Sequence, residues 1–191
     1  MSCPPVRVAV LISGTGSNLR ALVDAADTTY EVALVLSNRA EAAGLAWATE
    51  RGIATVALPH APFGKDRQAH EAALDEALHA HDIQVVALAG YMRVLTPWLV
   101  GRWSGRMLNI HPSLLPKYPG LDTHHRALEA GDTEAGCTVH LVSEGVDEGP
   151  ILDQASVPVL EGDTPETLAA RVLEAEHRLY PQALAAYCGE I

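Results

Sequence analysis

The chain reads as an α/β protein built on a doubly wound, mostly parallel sheet, with strands added near its C-terminal end and a long final helix. Two observations predict this. Short apolar runs of strand length alternate with amphipathic stretches of helix length over the first 110 residues, which is the pattern of βαβ units. Beyond residue 120 the pattern changes to segments that alternate apolar with polar. Residues 6–12 form an apolar run stopped by Ser13-Gly14-Thr15-Gly16, a buried first strand. Residues 18–26 place Leu19, Leu22 and Val23 on one helical stripe. Residues 31–36 are the second strand and 41–51 the next helix, closed by Gly52; residues 53–58 are the third strand, stopped by Pro59. A long helix over 66–81 precedes a nearly continuous apolar strand at 83–89. Thr96 is placed to cap a short helix with Pro97 at its first position. Residues 106–110 are the fifth strand. Residues 137–142 and 151–159 read as a half-exposed hairpin or added edge strands. The last helix spans 164–187, with Thr164 as N-cap, Pro165 at the first position and Thr167 where a capping-box Glu would sit. No repeat, low-complexity tract or linker interrupts the pattern, so residues 1–191 are expected to form one domain.

Composition narrows the function. The 191 residues are 48% hydrophobic and 19% charged, ordinary for a globular chain with a sizeable core. A formal net charge of −11 leaves no excess of Lys and Arg to displace phosphate counterions, so nucleic acid is not an expected partner. Cys3, Cys137 and Cys188 are widely spaced, without the pairing of a disulfide framework or a thiolate zinc site. Nine histidines include no H-x-x-x-H pair with a carboxylate partner, and adjacent His124 and His125 point to different sides of a helix; no metal is expected. No apolar run approaches membrane-spanning length and the N-terminus lacks a signal-peptide layout. The expectation is a cytoplasmic enzyme without membrane contact.

The most informative stretch is Asn109-Ile110-His111-Pro112-Ser113-Leu114-Leu115-Pro116-Lys117-Tyr118-Pro119-Gly120-Leu121. Alternation along a strand puts Asn109 and His111 on one face. Pro112 ends the strand, and Pro116 and Pro119 stiffen the loop that follows. An amide donor beside a titratable base, on a stiff loop at a strand end, suits stabilising a developing oxyanion while a proton moves.

Two more loops follow strands. In Ser13-Gly14-Thr15-Gly16-Ser17-Asn18 the glycines allow close backbone approach, the next helix offers unpaired N–H groups, and Ser17 and Asn18 add side-chain donors. That suits a phosphate monoester. Leu19 replaces the third glycine of a dinucleotide loop, and the Gly-Lys-Ser/Thr of a P-loop is missing. Gly90-Tyr91-Met92-Arg93-Val94-Leu95 follows the fourth strand, where Met92 and Val94 could line an apolar slot for an aromatic ring. In open α/β sheets ligands bind beyond the carboxyl ends of strands, so these loops converge. Asp147 precedes a Gly149-Pro150 turn, where an Asp commonly caps backbone amides.

The 109–121 segment closely resembles the signature of the formyltetrahydrofolate-dependent formyltransferases, and the match runs from the first strand to the last helix. The resemblance implies a Rossmann-like formyltransferase fold and a set of roles. Asn109 and His111 are catalytic, Asp147 is the carboxylate paired with His111, and Thr138 and His140 support that loop. Gly16, Ser17 and Asn18 hold a substrate phosphate, and Glu176 binds the substrate's ribose or amine. Arg67, Met92, Arg93, Val94, Leu95 and Asn109 form the folate pocket. The implied cosubstrate is 10-formyltetrahydrofolate, and the glycine loop points to the branch that formylates glycinamide ribonucleotide in purine synthesis. Where that family often has His, this chain has Asp122. Rival readings are a formyltetrahydrofolate hydrolase, which would add an N-terminal domain, a tRNA-directed formyltransferase, which would add a basic C-terminal domain, and a folate- or nucleotide-binding module without catalysis. Monomer and homodimer both remain open.

Overall fold

The computed structural model describes residues 4–191; Cys3 lies outside them. Seven strands form one sheet in the order β3-β2-β1-β4-β5-β6-β7. The strands are β1 (Val6–Ile12), β2 (Tyr30–Ser37), β3 (Ala54–Ala57), β4 (Val85–Leu88), β5 (Met107–His111), β6 (Glu134–Leu141) and β7 (Ile151–Pro158). The first five run parallel; β6 is antiparallel to β5, and β7 to β6. The helices are α1 (Ser17–Asp24), α2 (Ala43–Glu50), α3 (Arg67–Ala80), α4 (Pro97–Arg102), α5 (Thr123–Glu129) and α6 (Pro165–Cys188).

Strand alternation divides the core in two. Val8, Val10 and Ile12 of β1 pack with Leu19 and Leu22 of α1, Leu45 of α2, and Leu168, Val172 and Leu179 of α6. Ala9 and Leu11 of the same strand pack with Leu74 and Leu78 of α3 and with Leu99 and Trp103 near α4. Both faces of the parallel region are thus covered, as a β1 that is apolar everywhere but Arg7 requires. Helix α6 is fixed across the sheet centre by the Tyr180 hydroxyl, which donates to the carbonyls of Leu88 at 2.9 Å and Leu108 at 3.3 Å.

Chain direction across the sheet reverses between β1 and β4, neighbours whose carboxyl ends open side by side. That switch point is where α/β sheets bind ligands. Several expectations shift. Strand β6 is buried along nearly its whole length rather than half exposed, because β7 and α6 cover it; exposure falls on β7, the sheet edge. Thr96 does not cap α4 with its side chain: its hydroxyl donates to Glu71, whose other oxygen accepts the Thr96 N–H at 2.8 Å. The helix assumed at His124 and His125 is α5; it starts behind Asp122, which adopts a left-handed conformation with φ 56°. Helix α6 begins as expected, with Thr164 and Thr167 exchanging the two bonds of a capping box.

Candidate active site

Strand β5 delivers Asn109 and His111 to the same side. Leu108 and Ile110 point into the α1/α6 core and Met107 into the opposite one, so alternation sets Asn109 and His111 on the Met107 face. Asn109 lies in register with Leu88 of β4 and His140 of β6. His111 is 5% exposed. Its Nδ1 sits 3.3 Å from Asp147 Oδ2 and its Nε2 2.9 Å from the Tyr118 carbonyl oxygen. Both ring nitrogens therefore face acceptors.

Asp147 reaches this site from the β6–β7 connection, in a left-handed conformation at φ 56°. Its Oδ2 also accepts the Gly120 N–H at 2.8 Å, and Oδ1 lies 3.7 Å from His140 Nε2. Burial works against its ionisation, but the His140 imidazole, the Gly120 amide and the charge of His111 together outweigh it and hold the carboxyl below its ordinary range. The Asp147 that might have capped its own turn instead binds another loop's amide and flanks a histidine.

His140 Nδ1 is 2.9 Å from the Leu141 carbonyl and so carries a proton. Its Nε2 lies 3.3 Å from Asn109 Nδ2. When the ring is neutral, Nε2 accepts one N–H of Asn109, which orients the amide and leaves its second N–H without a bond among the described residues; when the ring is charged, its Nε2–H faces Asp147 Oδ1 instead. Thr138 fastens the proline loop: its hydroxyl donates to the Ser113 carbonyl at 2.7 Å and accepts from the Leu115 N–H at 3.1 Å and Gln154 Nε2 at 2.9 Å.

Beside this cluster lies a cleft of about 300 Å³ lined by the glycine loop (residues 13–18), Arg39, Ala89, Gly90 and Met92. Gly16 takes φ 74° at the N-cap of α1, and a Cβ there would meet the Gly44 Cα at 3.2 Å. Glycine is required on both counts. Ser13 ties the rim together: its hydroxyl donates to Asn38 Oδ1 at 2.6 Å and accepts the Met92 N–H at 2.8 Å. Arg39 was not singled out from the sequence. The available signal was its position just past the carboxyl end of β2, beside the glycine loop, and it is the cation among the cleft-lining residues.

Other expected positions are redistributed. Asn18 lines the cleft with one N–H of its Nδ2 committed to Glu176 Oε2 at 2.8 Å, and its buried Oδ1 has no partner among the described residues. The backbone N–H groups of Ser17 and Asn18 lie in the first turn of α1, where they have no intrahelical acceptor. Glu176 is not a solvated helix carboxylate. It is 7% exposed, and burial raises its carboxyl above the usual value despite the Asn18 bond. Met92 and Val94 are exposed, Met92 lining the cleft, whereas Leu95 packs on the second core. Arg67 opens α3 and donates to the Val94 carbonyl, and buried Arg93 Nε has no partner among the described residues. Neither arginine bonds the Asn109–His111–Asp147 cluster. Asp122 is exposed and makes no side-chain cap.

A histidine–carboxylate pair and an oriented amide thus lie near a glycine-lined cleft at the sheet switch point, the place where α/β enzymes bind ligands. Residues 6–184 match the formyl transferase family, and the chain belongs to that family. It is 48% identical over 179 residues to the phosphoribosylglycinamide formyltransferase of Escherichia coli (strain K12), an overlap of 92% of this chain and 84% of that protein. It is 50% identical over 190 residues to the trifunctional purine biosynthetic protein adenosine-3 of Drosophila pseudoobscura pseudoobscura, but spans only 14% of that protein's length. The crystal structure of phosphoribosylglycinamide formyltransferase from Brucella melitensis superposes with a TM-score of 0.92 at 55% identity, covering 96% of each chain.

Proposed function

We propose that this chain transfers the formyl group of 10-formyltetrahydrofolate to the amine of 5-phosphoribosylglycinamide, a step of purine biosynthesis. The observation that carries this reading is the His111–Asp147 pair, oriented beside a glycine-loop cleft in a chain so similar to formyltransferases over nearly its full length. The cleft accounts for the acceptor's phosphate: Gly16, Ser17 and Asn18 present backbone N–H groups at the α1 N-terminus, and Arg39 adds a cation. Buried Glu176, held by Asn18, is poised for a hydroxyl or amine of the acceptor. Exposed Met92 and Val94 suit the flat face of a pterin, with Arg67 and Arg93 near its anionic tail and Leu95 backing the loop.

The acceptor's neutral amine attacks the formyl carbon directly, so no covalent enzyme intermediate is needed. Negative charge develops on the formyl oxygen, and the free N–H of Asn109 donates to it. Because His111 Nε2 is committed to the Tyr118 carbonyl, Nδ1, beside Asp147, is the working nitrogen. The Asp147 carboxylate stabilises the protonated ring, which steadies the tetrahedral intermediate. As that intermediate collapses, the carbon–N10 bond breaks, the proton lost by the amine reaches N10, and tetrahydrofolate leaves.

Residues 1–191 act as one formyltransferase unit in the cytoplasm, on small molecules only and without metal, as monomer or homodimer. Incubation with both substrates should yield formylglycinamide ribonucleotide, detected by mass spectrometry. Formate released at the same rate without the ribonucleotide would instead identify a hydrolase.

A further inference from the structure

The Tyr118 carbonyl that holds His111 Nε2 belongs to a residue in an unfavourable backbone state. Tyr118 has φ 56°, a left-handed conformation that non-glycine residues adopt when their surroundings impose it. The surroundings here are specific. The Tyr118 hydroxyl donates to Asp132 Oδ2 at 2.7 Å, and the neighbouring Lys117 ammonium sits 3.0 Å from Asp132 Oδ1. Asp132 lies between α5 and β6, its backbone N–H fixed to the Ala127 carbonyl at 3.1 Å and its side chain largely buried. Arg126 of α5 closes the other side, lying over the Tyr118 ring and donating to the Pro119 carbonyl at 2.7 Å. One carboxylate thus grips two consecutive side chains of the loop whose backbone supplies both the Tyr118 acceptor for His111 and the Gly120 donor for Asp147.

We propose that Asp132, acting through the Tyr118 hydroxyl, is a positioning residue for the reaction: it fixes the Tyr118 carbonyl on His111 Nε2 and so directs Nδ1 to Asp147 and the reacting formyl group. The inference rests on the formyl-transfer reading for its kinetic consequence, though not for its structural one. Asp132 touches no substrate. Its effect passes along the chain from its carboxylate to the Tyr118 side chain, to the strained Tyr118 backbone, and to the imidazole.

The test compares Asp132→Ala, Asp132→Asn and Tyr118→Phe in the full chain, by steady-state kinetics and by ¹H–¹⁵N correlation spectra of the histidine rings. Asp132→Ala and Tyr118→Phe should lower kcat on the order of 10- to 100-fold through misplacement of His111, with the KM for glycinamide ribonucleotide unchanged. Asp132→Asn keeps an oxygen for the Tyr118 hydroxyl and should restore most of kcat. In the spectra His111 Nε2 should show a hydrogen-bonded proton in the wild type, from its bond to the Tyr118 carbonyl, and should lose that signature in the Ala and Phe variants. Unchanged kcat and an unchanged ring signature in Tyr118→Phe would overturn the proposal. So would a parallel loss of kcat, KM and thermal stability that Asn does not restore, which would mark a purely structural role. If the wild type fails to formylate the ribonucleotide, the functional reading falls, while the ring spectra still decide whether Asp132 sets His111.

Discussion

Asn109 has one amide edge turned to His140 and one N–H left for an oxyanion. Asn109→Ala should therefore lower kcat by about 100- to 1000-fold, with thermal stability little changed, as steady-state kinetics and a melting curve would show. Asp147 and Glu176 shift in opposite directions, and their variants should respond oppositely to pH. Asp147 is held below its ordinary value, so its ionised form contributes stability above the unfolded-state value, and that contribution is lost as pH falls through the folded-state value. The melting temperature of Asp147→Asn should lie below wild type near neutrality, and the gap should close below about pH 4. Glu176 is raised by burial, so its protonated form is the favoured one, and stability is lost as pH rises above 4.5 through the folded-state value. Glu176→Gln should melt higher than wild type at neutral pH, with no advantage at pH 4, and should bind the ribonucleotide more weakly. A neutral-pH melting temperature at or below wild type would contradict that. At this scale the sequence was uneven as a guide. Asn109 and His111 were legible because strand alternation fixes their common side. Asp147 was legible only through the family signature, since an Asp before Gly-Pro usually caps its own turn. The bond between Asn18 and Glu176 was not legible, because Glu176 lies far away in the chain.

Among the elements, those ruled by local chemistry came through best. The α6 start follows from Thr164, Pro165 and Thr167, and the capping box is present with Thr167 supplying the return bond. Thr164→Ala should cost about 1 kcal/mol, lowering the melting temperature by about 2–4 °C while leaving kcat unchanged, because α6 begins far from the site. A melting curve and one turnover assay check both parts. Thr96 carries the same local signal, Thr before Pro, yet its hydroxyl goes to buried Glu71 of α3. A tertiary acceptor displaced the local cap. Strand β6 was misread as half exposed because its alternation describes two faces, whereas its burial depends on β7 and α6, which arrive later in the chain. The bounds of helix α5 were hidden by its start, since a left-handed Asp122 without a side-chain cap gives no usual helix signal.

At the level of the whole molecule, the parallel sheet and its switch point follow from alternating strands and helices, and the switch point alone predicts where ligand should bind. What the sequence could not supply is the convergence of distant loops. The glycine loop, Arg39 and the Met92 loop meet at one cleft, and the proline loop and the Asp147 turn meet at His111, because sheet order brings together the ends of strands far apart in the chain. The net charge of −11 is no obstacle to an anionic substrate, because the cleft presents backbone N–H groups and Arg39 where a phosphate would sit. The central claim is that the His111–Asp147 pair drives formyl transfer to the ribonucleotide in that cleft. Folate release from 10-formyltetrahydrofolate, measured with and without glycinamide ribonucleotide for wild type and Asp147→Asn, tests it most directly. The account predicts turnover that requires the ribonucleotide and falls on the order of 100-fold or more in the variant. Equal folate release without the ribonucleotide, or full turnover in Asp147→Asn, would contradict it.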